Sequence, residues 1–253
     1  MNDVCRRNTG SPGNPGVFAG LFTWLSRTAK TPGFPGDPVF RLQTSFTVHH
    51  DGYYLQYVHE GEHTGTHYSA PCHFHVDEIC APKLKAEDLV LPAIVLDARE
   101  QVADDADYAI TVADLVAWED EHGPMPSEAA VLALTGCDAF WGPSAAKDEP
   151  TYYNCGTEGA FHQPGFSLEA VEWLIDRGVL GVRGALGTDT FGPDPGTDPD
   201  FLETALTLDE HRLTLENLTN LDRLPAVGAW IVVGGPRNAK GSGGPGSIIA
   251  LVP

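Results

Sequence analysis

Two short, uninterrupted apolar runs set the strongest limit on what this chain can fold into. LVLPAIVLD (89–97) and AAVLALT (129–135) lack polar alternation, so each must be covered on both faces, as an inner strand of a layered sheet is. Between them, Thr111 and Asp114 form an N-terminal capping pattern, Val112, Leu115 and Val116 share one helical face, and Gly123 ends the run. A second helix is signalled by SLEAVEWLIDRG (167–178), with Ser167 as cap, Leu168, Val171, Leu174 and Ile175 at helical spacing, and Gly178 as stop. VLGVRGAL (179–186), AWIVVGG (229–235) and SIIALV (247–252) supply further apolar segments, the last two as C-terminal strands. TSFTVHH (44–50) and YYLQYVH (53–59) flank Asp51-Gly52, a dipeptide suited to a two-residue turn, and predict an antiparallel hairpin. With no repeat period and no composition break, these elements predict one mixed α/β domain over residues 17–253, preceded by a loose Gly/Pro/Asn/Ser arm, residues 1–16.

Composition narrows the function classes. Hydrophobic residues make up 42% of the 253 positions, enough to build a core, yet no run approaches the roughly 18 apolar residues of a membrane span. With no apolar segment behind the N-terminal Arg pair, no secretory signal is expected and the chain is placed in the cytoplasm. A net charge of -20 repels phosphate backbones, so nucleic acid is not an expected partner. The glycine-rich stretch PRNAKGSGGPG (236–246) lacks the Gly-Lys-Ser/Thr ending of a phosphate-binding loop. Five scattered cysteines, at 5, 72, 80, 137 and 155, contain no CxxC pair and are expected to be reduced and mostly packed. The acidic run Asp194, Asp198 and Asp200 lacks the closing Glu of a calcium loop and is expected to be a solvated turn, with Glu203 a weaker candidate ligand beside it.

Chemistry concentrates between residues 63 and 75. His63, His67, His73 and His75, with Ser69, all occupy odd positions, so an extended segment would point them to one side. Full extension would hold His63 and His67 roughly 13 Å apart at Cα, at about 3.3 Å per residue, too far to share an ion. Gly65 permits a bend and Pro71 blocks a long helix, so a kinked loop that gathers the rings is predicted. Imidazoles gathered in this way suit metal binding or proton transfer near neutral pH.

HTGTHYSAPCHF (63–74) resembles the HxGTHxDxPxHF signature of the putative cyclase family, which includes bacterial kynurenine formamidase, isatin hydrolase and ring cyclases of aromatic polyketide synthesis. PGFPGDPVF (32–40), HQPGFSLEAVEWLIDRGVLGV (162–182), GTDTFGPDPGTDPDF (187–201) and LENLTNLDRLPAVGA (215–229) resemble further family segments in the same order. The resemblance implies a swivelling β/α/β fold, usually a homodimer or higher homo-oligomer. It also implies metal held by His63 and His67 with the residue at position 69, a second ion held by a later His and Glu216, and proton transfer by His73. The chain departs from that pattern at Ser69, where the family carries an Asp. It departs again at Thr204, twelve residues before Glu216, where the resemblance places a ligand His; His211 falls elsewhere.

Losing a carboxylate and an imidazole predicts loss of the second ion, leaving one divalent metal, zinc or manganese, or none. The candidate site is therefore His63, His67, Ser69, His73 and Glu216. The expectation placed first is a cyclase or lyase that condenses or dehydrates an aromatic, polyketide-like carbonyl substrate with histidine assistance. The alternatives are a metal-dependent hydrolase of a formamide or lactam C–N bond and a non-catalytic binding protein on the same fold.

Overall fold

The computed structural model describes residues 18–20 (backbone only), 40–141, 152, 155–156 and 162–253. The 1–16 arm, Cys5 and most of the 32–40 segment lie outside the described residues. The chain folds as a mixed α/β domain around one nine-stranded sheet. Its order is β1 (Phe18–Gly20), β13 (Ser247–Leu251), β11 (Val227–Gly234), β5 (Val90–Asp97), β7 (Ala130–Leu134), β9 (Arg183–Thr188), β10 (His211–Glu216), β4 (His67–Ser69) and β12 (Gly243–Pro245). The centre, β5–β7–β9–β10, is parallel, and the strands on either flank run antiparallel. β5 and β7 are the two apolar runs, and alternation along them divides the core in two. Leu91, Ala93, Val95, Leu132 and Leu134 face one layer, and Ile94, Leu96, Val131 and Ala133 face the other.

The second layer is covered by the predicted helices α3 (Val112–His122) and α4 (Leu168–Asp176). Thr111 and Asp114 form the predicted reciprocal cap, Thr111 N donating to Asp114 Oδ2 at 2.7 Å. Ser167 Oγ accepts from Ala170 N at 3.2 Å, and Gly178, at φ +71°, turns the chain out of α4. α2 (Arg99–Asp104) and the short pair β6 (Ala109–Ile110) and β8 (Gly165–Phe166) complete this side. No helix among the described residues is long and apolar enough to cross a membrane.

Three expectations are corrected. The hairpin exists as β2 (Arg41–Phe46) and β3 (Leu55–His59), but Asp51-Gly52 is not a two-residue turn. The Asp51 carboxylate accepts from Thr47 N at 2.8 Å and winds a single helical turn, α1 (Val48–Asp51), closed by Gly52 at φ +80°. The cysteines are not all thiols: Cys72 pairs with Cys80 and Cys137 with Cys155, partners brought together by the fold rather than by a CxxC spacing. The acidic run is not simply solvated, because Asp194 is buried while Asp200 is exposed.

Candidate active site

Strand register assembles the centre. β4 is three residues long and lies between β10 and β12, with His67 directly opposite Glu216, and Ser69 opposite Thr214. Alternation sends Tyr68 into the core and leaves His67 and Ser69 on the face shared by Thr214 and Glu216. His63 joins them because Gly65, at φ +63°, folds the chain back, so that the His63 and His67 rings approach to 5.1 Å between centroids. Beyond β4, Pro71 opens a 3-10 turn, Pro71–His73, that lays the His73 ring on His63 at 3.7 Å. The predicted kinked loop thus gathers three of the four imidazoles. His75 goes elsewhere, its Nε2 donating to Ala205 O at 2.7 Å.

The hydrogen bonds fix where protons sit. His67 Nδ1 lies 2.8 Å from Gly65 O, and a carbonyl only accepts, so Nδ1 carries a proton, while Nε2 faces Glu216 Oε2 at 2.9 Å, where a proton on the ring makes an ion pair and a neutral ring offers a lone pair. Ser69 donates to Glu216 Oε1 at 3.4 Å, so it accepts from His63 Nδ1 at 3.1 Å. The remaining His63 nitrogen, Nε2, then accepts from Ser242 Oγ at 2.8 Å. Thr214 Oγ1 also donates to Glu216 Oε1, at 2.6 Å. In this tautomer the hydrogen bonds run in one direction, from Ser242 through His63 and Ser69 to Glu216; in the other, His63 Nε2 donates to Ser242 Oγ, which donates in turn to Glu62 Oε2 at 3.5 Å.

Charge follows the same pattern. Burial, reinforced by repulsion from His67 and His73, pushes His63 down to about 3, so it is a neutral ring at any physiological pH. Burial alone would raise Glu216, but the interactions with His67 and Thr214 outweigh it and bring the carboxyl down to about 2.

The loop ahead of β12 supplies groups that the sequence did not flag. Ser242 N donates to Glu62 Oε2 at 3.0 Å, and Ser242 O accepts from Ala70 N at 2.7 Å, which pins the loop across the site. Gly243 is obligatory there: a Cβ would lie 2.7 Å from His63 Cε1 and strike the Tyr68 carbonyl. Thr214 had a signal, two residues before Glu216 in the alternating HRLTLE; Ser242, in a glycine-rich loop, had none. Thr204 is far from a ligand role, since its N and Oγ1 both donate to Asp194, at 2.8 and 2.5 Å.

The donor set suits a divalent cation. His67 Nε2 and Glu216 Oε2 face each other at 2.9 Å, a spacing met by a proton on the imidazole and, once that proton is released, by two electron-pair donors of the kind that ligate a cation. His63 Nε2 carries a lone pair that accepts from Ser242 Oγ. Of the side chains gathered here, these three carry donor atoms of a type that could ligate an ion, while the Ser69 hydroxyl is a weak ligand and is already committed to hydrogen bonds.

The sequence description of the putative cyclase family matches residues 21–195. The chain belongs to that family. A further match within it is isatin hydrolase of Roseibium aggregatum, 32% identical over 198 residues, which span 76% of this chain and 73% of the relative. Among solved structures, isatin hydrolase A from Labrenzia aggregata, bound to benzyl benzoate, superposes with a TM-score of 0.81 at 27% identity, covering 94% of both chains. Isatin hydrolase A from Ralstonia solanacearum does so at 0.79 and 30% identity, over 94% of this family member and 92% of its own chain. A cyclase-family crystal structure at 12% identity and TM-score 0.70 shares the fold alone.

Proposed function

We propose that this family member is a metal-dependent hydrolase that opens a C–N bond beside the carbonyl of a small cyclic amide of the isatin kind. The observation that carries the reading is the facing pair His67 and Glu216, with His63 beside it, in a chain 32% identical to an isatin hydrolase. Its similarity to isatin hydrolases sets hydrolysis ahead of the ring-closing chemistry expected first from the sequence.

His63, His67 and Glu216 would hold the ion, which when bound polarises a carbonyl and lowers the pKa of water. The protein's own groups do the rest. His73 is exposed and stacked on His63, so it faces incoming substrate and can take a proton from water and return it to the leaving nitrogen. Ser242, Ser69 and Thr214 hold His63 and Glu216 in one protonation pattern, which fixes both side chains before substrate arrives. Phe74, next to His73, and Phe201 offer aromatic surface to a flat ring. The proposal extends to a catalytic unit over 17–253 that works as a homodimer, because the β2–β3 ribbon leaves Leu42, Tyr53, Tyr54, Leu55, Tyr57 and Val58 exposed. It extends also to residence in the cytoplasm, as expected from the sequence.

The test is loss of isatin absorbance after chelator treatment and re-addition of manganese or zinc. Turnover should return with metal and drop about 100-fold or more in Glu216→Gln. A folded, metal-supplied chain that opens neither isatin nor an aryl formamide would refute the proposal.

A further inference from the structure

The loop between β9 and α5 (Leu202–Thr207), together with the first turn of α5, brings together three carboxylates that the hydrolytic site does not use. Asp194, Asp198 and Glu203 place one oxygen each within 4.8 Å of one another, with Asp194 and Glu203 buried and Asp198 half-buried. In sequence, Asp200 was the third member and a closing Glu was missing; in space, Glu203 takes that place.

Two of the three have hydrogen-bond donors of their own. Asp194 accepts from Thr204 N and Oγ1, and Asp198 accepts from Asp200 N at 2.9 Å and Leu202 N at 2.6 Å. Glu203 differs. It is only 4% exposed, and its Oε2 is shut away from solvent with no donor group among the described residues, its side chain meeting only the Asp194 and Asp198 carboxyls. A buried carboxylate oxygen without a donor, beside like charge, is costly unless positive charge meets it. A proton on Glu203 bridges one oxygen pair and leaves the other repulsion in place, whereas a divalent ion meets all three carboxylates at once.

We propose that Asp194, Asp198 and Glu203 form a binding site for one hard divalent cation of the calcium or manganese class, separate from the His63–His67–Glu216 centre. Donors that are all oxygen and carry three formal negative charges select hard ions over zinc. Half-buried Asp198 gives the entry path. Burial, with the neighbouring Asp194 and Asp198, pushes the Glu203 carboxyl up to about 8, as befits a group that lacks a counter-charge. The ion would act on the active site through the chain. Gln163 Nε2 bonds Gly192 O and Asp194 O at 3.0 and 2.7 Å, Phe201 packs near Phe74, and Ala205 O holds His75. Drawing the loop onto α5 therefore steadies the wall beside His73.

Isothermal titration of the chelator-stripped full chain with calcium tests this, because imidazoles bind calcium poorly. About one equivalent should bind and raise the Tm. Glu203→Gln and Asp198→Asn should each weaken binding by about tenfold or more and abolish the Tm response, while His67→Ala keeps both. Without calcium and above pH 8, Glu203→Gln should be no less stable than the parent, since an amide can donate where the carboxylate cannot. Should it fail to fold, Asp198→Asn, at a half-buried position, decides the matter. The proposal falls if neither calcium nor manganese binds the His67→Ala chain, or if the acidic-loop substitutions bind as the parent does.

Discussion

Position 69 carries the sharpest departure from the family pattern, and the structure shows what the hydroxyl does there. Ser69 relays hydrogen bonding between His63 Nδ1 and Glu216 Oε1, so both partners keep one protonation state without an ion. An aspartate at this wholly buried position would accept from His63 but repel Glu216. Ser69→Asp should therefore destabilise the metal-free chain by about 3 kcal/mol or more and tighten manganese binding by about tenfold or more, a reversal visible by comparing Tm with and without the ion. Acid stability follows from the same two residues. His63, down to about 3 in the fold against an ordinary 6.5, takes a proton in the unfolded chain first, so its contribution is complete above 6.5 and is lost as pH falls toward 3. Glu216, about 2 against 4.5, acts in the same direction between those values. Replacing His63 by Asn removes the larger effect. The near-UV circular dichroism of chelated His63→Asn should persist to lower pH relative to its neutral-pH stability, a gain of about 2–3 kcal/mol by pH 4.

At the scale of elements, legibility in the sequence tracked locality. α3 and α4 were readable because caps, periodicity and stops lie within one segment, and β5 and β7 because an apolar run needs no partner to be recognised. The imidazole cluster was legible for the same reason: Gly65, Pro71 and the histidines share thirteen residues of chain, 63–75. What failed depended on distant partners. The pairing of His67 with Glu216, 149 residues away, is a register fact, as are the Ser242 contact and the meeting of Glu203 with Asp194 and Asp198. α5 was missed because six residues carry too little periodicity, and both cysteine pairs because spacing alone does not reveal proximity. The Cys72–Cys80 bond closes the short loop carrying His73 and Phe74, and cross-linking so small a ring contributes about 2–3 kcal/mol through the unfolded chain. Cys80→Ser should lower stability by about that amount in non-reducing buffer and by nothing once reductant is added to both proteins, as urea unfolding would show.

The whole molecule combines strong negative charge with a localised apolar surface. A net charge of -20 keeps copies apart at long range, so any association has to be driven at short range by apolar burial. Among the described residues, seven of the eighteen exposed large apolar side chains fall between residues 42 and 58, on a ribbon that there pairs only with itself. Two-stranded ribbons are marginal alone, and each aromatic or aliphatic side chain brought under cover contributes about 1.5–3 kcal/mol. Opposite faces of the ribbon are involved, Leu42 with Val58 on one and Leu55 with Tyr57 on the other, so a partner that wraps the ribbon covers more than one that abuts it. Light scattering should thus give about twice 27.1 kDa, with the dimer tightening as salt screens the charge. Tyr57→Lys combined with Val58→Lys should return a monomer that keeps its circular dichroism, because neither side chain reaches the main core. A parent chain that stays at 27.1 kDa at high salt and high concentration would mean that the ribbon is solvated in the working enzyme.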